Sequence, residues 1–501
     1  MISKRYDLAI MAAITAVFGI VTIAWAERIG INGGQGWDGM GYTLWARDFS
    51  HEVLQKGVTI YHAQRILPSG LIHYVLTATG SATNPRVIFG YQILDVIAMV
   101  GTVVLWNRVA RTLTLSRAAT WAGFAALGLG FANARHALYY PTLTDPTACF
   151  LGMAATWAYL EDRPFAQIAV AFASAFTWPA LLPVSLAMLV LRRPAPPIEE
   201  LTARGGGAVR WIRWVALGLA LVGAGIVCVA AWQWLQRPYP NDEKWVRYVH
   251  RDLLPVTFAA IFVMTALGLY ALARERSLWN LKAYGKQLLT KRLAIAVGGC
   301  VLVLVAKRMW ISRVGTQGAG PTFDQFKCEH LLAALRGPLW NIVSHVVYFG
   351  PIFLVAIAAW RRIAKRAAEW GPTAAIVLAM VVAFSIGTQS RQWIHLLPFL
   401  VTVTIAATAR WWTVRTTIAF AVVCLAWSKL WWKIGYDQPL NAFEWPNQRY
   451  FMNLGPWTSD SMFLAHLAAT VVTALALYAM FRKLARNDDP VAVDKLGAAA
   501  E

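Results

Sequence analysis

Four short clusters in this sequence place ionisable side chains at the ends of apolar runs. The first reads Ile31-Asn32-Gly33-Gly34-Gln35-Gly36-Trp37-Asp38-Gly39-Met40-Gly41-Tyr42 and sets one carboxylate among glycines. Glycine permits tight turns and close backbone approach. An aspartate held just above hydrocarbon gains basicity from partial desolvation, so Asp38 could serve as general base towards a hydroxyl or amide. The competing reading is an aspartate in an ordinary Gly-rich turn. The second cluster, Tyr61-His62-Ala63-Gln64-Arg65-Ile66-Leu67-Pro68, offers Arg65 near a helix start, with Tyr61 beside it. Arg65 there could hold a phosphate bidentately or merely snorkel to lipid headgroups.

The third cluster runs from Asn133 to Pro146 and contains Arg135, His136 and Asp145. These three could converge on a substrate or a metal. Alternatively Thr144 or Asp145 only caps the helix that Pro146 opens. The fourth, Gln389-Ser390-Arg391-Gln392-Trp393-Ile394-His395-Leu396-Leu397-Pro398, separates Arg391 and His395 by four residues. That spacing puts both on one helix face. An Arg and a His together suit a lipid-linked phosphate, and ionisable groups at membrane depth are functional candidates. Headgroup contact explains them equally well.

Weaker signals remain. Asp95 lies inside an apolar run and needs a partner or a cavity. Asp324, Lys327, Glu329 and His330 form a polar cluster without zinc spacing. The segment from Trp431 to Trp457 could line a carbohydrate or acyl groove, or pack at the membrane interface. Of five cysteines, Cys149, Cys228, Cys300 and Cys424 fall in apolar runs and only Cys328 in a loop, with no CxxC pattern.

The elements that must position these groups are membrane helices. The chain is 58% hydrophobic and 14% charged, where soluble domains carry roughly 25% charge. Its apolar residues gather into runs long enough to cross a bilayer core of roughly 30 Å, and its 25 tryptophans suit headgroup level. The first run, Leu8 to Ala26, reads as a retained signal-anchor helix rather than a cleaved signal peptide. Others centre near residues 96, 125, 152, 223, 263, 299, 351, 379, 401, 424 and 470. The stretch between Arg163 and Arg192 breaks at Thr177-Trp178-Pro179, which reads as a hairpin of two short helices. The expected fold is an all-α polytopic bundle of about twelve crossings plus that hairpin. An amphipathic stretch, Tyr42 to Leu54, is expected to lie along the interface within the first outer loop.

Charge sets the orientation. With both termini inside, the short inner segments hold about 27 of the 46 basic residues, in line with the positive-inside rule. The four clusters then lie outside, so the chemistry belongs to loops and helix ends at the outer face of a cytoplasmic membrane. The net charge of +21 is dispersed between apolar runs and accompanies no nucleic-acid-binding signature; membrane lipids and anionic ligands account for it better. Residues 1–191 read as one transmembrane module with the first outer loop, 192–480 as a second module, and 481–501 as a cytoplasmic tail.

In this order the clusters resemble the GT-C superfamily of membrane glycosyltransferases, which use polyprenyl-phosphate-linked sugars. Gly36-Trp37-Asp38-Gly39 is placed like the aspartate that follows the first transmembrane helix in that superfamily. Tyr61 to Pro68 resembles the loop return of bacterial members. Thr144-Asp145-Pro146 looks like the acidic motif that opens a later helix, and Arg391 to Pro398 like a basic turn of the C-terminal half. The likeness covers the first 190 residues best. It implies inverting transfer of a sugar from a polyprenyl-phosphate donor to a glycan, lipid or protein acceptor. In that implied reaction Asp38 is the base, and Arg65, Arg135 or Arg391 stabilises the leaving phosphate. Asp38 has no adjacent acidic partner and Asp145 lies in no Asp-x-Asp pair, so the expectation is a metal-free reaction without cofactor. The alternatives are a transporter or flippase of an anionic lipid or sugar, suggested by Asp95 and the Trp178-Pro179 break, and another outer-surface transferase.

Overall fold

The computed structural model describes residues 6–191, 193, 208–236, 249–279, 291–316, 330–430 and 458–487. Asp324, Lys327, Cys328, Glu329, the Trp431 to Trp457 segment and the chain beyond Asn487 lie outside the described residues. The described chain is helical apart from a two-residue parallel pairing of β1 (Val58–Thr59) with β2 (Gly315–Thr316).

From the N-terminus, α1 (Asp7–Trp25) leads into the first loop, which holds α2 (Gly39–Arg47), α3 (Ile60–Ala63) and α4 (Leu67–Ala78). Then follow α5 (Asn84–Thr112), α6 (Arg117–Gly128), α7 (Asp145–Leu160), α8 (Pro164–Ala175) and α9 (Leu181–Val190). The second half comprises α10 (Ala208–Leu235), α11 (Leu254–Ala273), α12 (Lys291–Val314), α13 (Trp340–Phe349), α14 (Ile352–Ala358), α15 (Trp360–Trp370), α16 (Pro372–Phe384), α17 (Leu397–Ala407), α18 (Val414–Ser428) and α19 (Asp460–Asn487). Among the described residues, six of these are long and apolar enough to cross a membrane: α1, α5, α10, α11, α12 and α19. Every other run anticipated from hydropathy is also helical, in shorter pieces. The run near 351 is divided where Gly350 takes φ +81° ahead of Pro351, a pair that no continuous helix accommodates.

Proline recurs in the first turn: Pro68, Pro146, Pro164, Pro372 and Pro398 each open a helix, where the missing N–H costs nothing. The outward faces of the long helices stay apolar, with Val17, Ile20, Leu219, Val222, Val301, Leu302, Val472 and Leu475 exposed. Such helices are apolar on all sides, as a lipid solvent requires. The main core instead lies among α5, α6, α7, α13 and α17, around Trp106, Phe131, Tyr348, Trp393 and Phe399.

The anticipated hairpin is present. Helices α8 and α9 are joined by a tip at residues 176–180, and the Phe176 carbonyl accepts the Leu67 N–H at 2.9 Å. The tip therefore meets the first loop. That loop has a core of its own, in which Tyr42, Trp45, Phe49 and Val53 pack with Ile72, Val87 and Val314. At the opposite end of the bundle Arg117 grips Asp7 bidentately, with Nε–Oδ2 2.9 Å and Nη2–Oδ1 2.7 Å. This pair ties the start of α1 to the start of α6, both on the side where the basic segments fall.

Candidate functional site

The first loop is stitched to the chain that precedes α7. The Ile29 N–H donates to the Tyr139 carbonyl at 2.9 Å, and the Thr142 hydroxyl donates to the Gln35 carbonyl at 2.8 Å. The Asp38 N–H donates to the Tyr140 phenol oxygen at 2.9 Å. Glycine is required at two points of this seam. Gly36 sits at φ +68° with the Tyr140 ring against it, and a Cβ on Gly39 would strike Thr142. The close backbone approach expected of this glycine run is thus made, and its target is Tyr140-Pro141-Thr142.

Asp38 is the N-cap residue of α2, yet its carboxylate makes no capping hydrogen bond. The side chain is 64% exposed, and its Oδ2 lies 3.7 Å from Arg391 Nη2. Arg391 turns its other edge inward, where Nε donates to Asp145 Oδ2 at 3.2 Å. Asp145 is buried as the first residue of α7, and Thr144 occupies the cap position without a side-chain bond. Capping therefore does not account for Asp145. Tyr348, on α13, donates to the same Oδ2 at 3.3 Å, and His136 Nδ1 lies 3.3 Å from the Tyr348 oxygen. One line of polar contacts thus runs from His136 through Tyr348, Asp145 and Arg391 to the exposed Asp38.

Two carboxylates face one guanidinium in this line. Burial alone would lower the pKa of Arg391, but Asp145 and Asp38 outweigh it and hold the guanidinium above its ordinary range. Burial raises the Tyr140 phenol, and the neighbouring Asp38 charge raises it further. Tyr140 is therefore a neutral hydroxyl across the physiological range.

A second cation lies beside the first. The Arg65 guanidinium carbon sits 4.5 Å from the Tyr61 ring centroid and 4.7 Å from that of Trp178. Trp178, at the hairpin tip, donates its indole N–H to His395 Nδ1 at 2.8 Å. The proton of His395 is then on Nε2. Arg65 Nε and His395 Nε2 are both buried without a hydrogen-bond partner among the described residues, a costly state for donors that bind nothing.

The structure does not join Arg135 to His136 and Asp145 as the spacing suggested. Its guanidinium turns to Glu27, with Nη2–Oε2 2.9 Å. Nor do Arg391 and His395 share a face. The segment Ser390–Leu396 is a 3-10 helix kinked at Trp393 (φ −120°, ψ 23°), so four-residue spacing does not superpose the two side chains. Tyr348, Tyr140 and Trp178 are participants that the sequence did not single out as binding residues. Tyr140 stood within a quoted cluster, whereas Tyr348 lies in an apolar run with no local signal.

Among the described residues no group of three or more His, Cys, Asp or Glu side chains is arranged to hold a metal ion. Cys149, Cys228, Cys300 and Cys424 are free thiols.

No protein-family model matches the chain, and no curated protein matches it. Among solved structures, it is similar to the archaeal oligosaccharyltransferase AglB from Archaeoglobus fulgidus, solved in complex with an inhibitory peptide and a dolichol-phosphate. The TM-score is 0.42 at 12% sequence identity, over 85% of this chain. The match spans 55% of that chain's length.

Proposed function

We propose that this protein is a membrane glycosyltransferase that moves a sugar from a polyprenyl-phosphate donor to an acceptor at the outer face of a cytoplasmic membrane. The observation that carries the reading is Arg391 held between a buried carboxylate, Asp145, and an exposed one, Asp38. Asp145 and Tyr348 orient the guanidinium from below. Its outer edge, with Arg65 nearby, offers donors to a phosphate. A phosphate that takes up Arg391 frees Asp38 from its ion pair, leaving the carboxylate open to the acceptor. The resemblance of the four clusters to the GT-C superfamily points the same way.

In the reaction, the acceptor oxygen attacks the anomeric carbon as its proton passes to Asp38. The bond from that carbon to the phosphate oxygen breaks, and the electron pair leaves with polyprenyl phosphate. A single displacement from the opposite face inverts the configuration. Arg391 and Arg65 stabilise charge that grows on the leaving phosphate, which needs no proton to depart. The residues require no metal for any of these steps.

Binding of a radiolabelled polyprenyl phosphate to purified protein in liposomes tests the phosphate subsite. Arg391→Gln is expected to weaken binding about tenfold or more, the scale of a lost charge-assisted contact of about 1.5–3 kcal/mol. Unchanged affinity in both Arg391→Gln and Arg65→Gln would place the phosphate elsewhere. Translocation of labelled lipid without any transfer would favour the transporter reading.

A further inference from the structure

The segment that carries Arg391 has no regular helix to stiffen it. Between the end of α16 at Phe384 and the 3-10 helix opening at Ser390, five residues turn the chain. Several of their polar groups are taken up by side chains of α13 and by His330. His345, on α13 and fully buried, has Nε2 3.1 Å from the Ser385 carbonyl and Nδ1 2.8 Å from the Ser390 hydroxyl. A carbonyl only accepts, so Nε2 carries the proton, and the Ser390 hydroxyl shares its one proton between the bare Nδ1 and the Ser344 carbonyl, 3.1 Å away on α13. Asn341, one turn earlier on α13, donates to the same Ser385 carbonyl at 2.8 Å. The Gly387 N–H donates to His330 Nε2 at 3.1 Å. The imidazole of His345 is fixed edgewise against Trp393, with centroids 5.0 Å apart.

His345 thus ties both ends of the 385–390 turn to α13, and Ser390 is the residue immediately before Arg391. Three residues along the same helix face, Tyr348 holds Asp145. Helix α13 therefore grips both partners of the buried ion pair: Asp145 through Tyr348, and Arg391 through His345 and Ser390.

We propose that His345 is a positioning residue for Arg391, setting the angle at which the guanidinium meets Asp145 and reaches the bound phosphate. This rests on the reading of Arg391 as the phosphate-binding cation. His345 touches no reacting atom and acts only through the turn.

The test is a double-mutant cycle on kcat/KM for transfer from a polyprenyl-phosphate sugar, with His345→Gln, Arg391→Gln and the double variant reconstituted in liposomes. Misplacing a binding group by about 1 Å costs up to about 100-fold, so His345→Gln is expected to lower kcat/KM by about 10- to 100-fold. The double variant is expected to be no worse than Arg391→Gln, because coupled residues are not additive. His345→Asn, whose amide reaches the place of Nδ1, is expected to recover most of the activity that Gln does not. Should His345→Gln fail to fold, Ser390→Ala enters the same cycle with the same expectation.

Additive losses, or an Asn variant as poor as Gln beside a silent Ser390→Ala, would overturn the positioning role while leaving the function standing. A silent Arg391→Gln would overturn the role given to Arg391, and this inference with it. Wild-type protein that transfers no sugar would overturn the function itself.

Discussion

At the scale of residues, three side chains hold one another by charge. Arg391 is shared between Asp145, which is buried, and Asp38, which is open to solvent. Removing Asp145 leaves Arg391 with only the solvent-exposed Asp38 at 3.7 Å, and breaking a buried pair costs up to about 3–5 kcal/mol. Asp145→Ala is therefore expected to lower thermal stability markedly as well as activity. Asp145→Asn keeps the shape and a hydrogen-bond acceptor, so it is expected to retain the fold while transfer falls by about tenfold or more. A melting curve beside a rate measurement separates the two outcomes; an Asn variant with wild-type rates would remove Asp145 from the site.

The pH dependence has a defined sign at His62. Burial first, and then the Arg65 charge, lower its pKa below the ordinary value. The folded state thus favours neutral imidazole, packed on Trp45 with centroids 4.8 Å apart and bonded to Thr59 at 2.8 Å. Stability from this group is whole above the unfolded value of about 6.5 and is lost as pH falls from there towards the folded value. Between pH 7 and 5 the wild-type melting temperature is expected to drop more than that of His62→Gln. Equal drops would show that His62 does not couple to folding. Asp38, Arg65 and Asp145 were legible in sequence because each stands beside glycine, proline or aromatic punctuation at the end of an apolar run. Tyr348 was not, because nothing in Trp340 to Phe349 distinguishes a tyrosine that donates inward from one that packs.

At the scale of elements, hydropathy placed every run in a helix, and prolines marked several of the starts. The break at Trp178-Pro179 became the tip of the α8–α9 hairpin, and the amphipathic stretch after Tyr42 became α2 and the turn behind it. What hydropathy did not reveal is how closely elements approach. The Ser390–Leu396 helix lies on α7 so tightly that a Cβ on Gly152 would collide with the His395 backbone. Backbone cannot yield as a flexible side chain can. Gly152→Ala is therefore expected to shift Arg391 from Asp145 and to cost about 1–3 kcal/mol, the usual range for overpacking. Gly218→Ala, on α10, where a Cβ meets nothing within 4 Å, is the control and is expected to be nearly silent in stability and transfer. Equal behaviour of the two variants would contradict the close approach.

At the scale of the whole molecule, ion pairs and loops sort to opposite ends of the bundle. Asp7 and Arg117 meet at one end, and Asp38, Arg65 and Arg391 gather at the other. In the proposed orientation the first end faces the cytoplasm. Ser81, in the turn between α4 and α5, and Arg361, on α15, are both exposed. With a membrane-impermeant maleimide on sealed, outside-out membranes, Ser81→Cys is expected to label and Arg361→Cys to stay protected until the membrane is opened. The reverse pattern would put the site on the inner face. The helical, polytopic character was readable because lipid leaves the backbone few choices. The convergence of α7, α13 and the Arg391 turn was not, since it depends on contacts 200 or more residues apart, such as Tyr348 with Asp145 (a separation of 203).

The central claim is sugar transfer that depends on Asp38. It is tested most directly by single-turnover transfer from a panel of radiolabelled polyprenyl-phosphate sugars, with wild type and Asp38→Asn in liposomes at matched protein amounts. The wild type is expected to transfer sugar from at least one donor. A fall of about 100-fold or more is expected in the variant, the scale of general base catalysis, while donor binding and the melting temperature stay close to wild type. Transfer at an undiminished rate in Asp38→Asn would contradict the role of the carboxylate, and no transfer by the wild type from any donor would contradict the function.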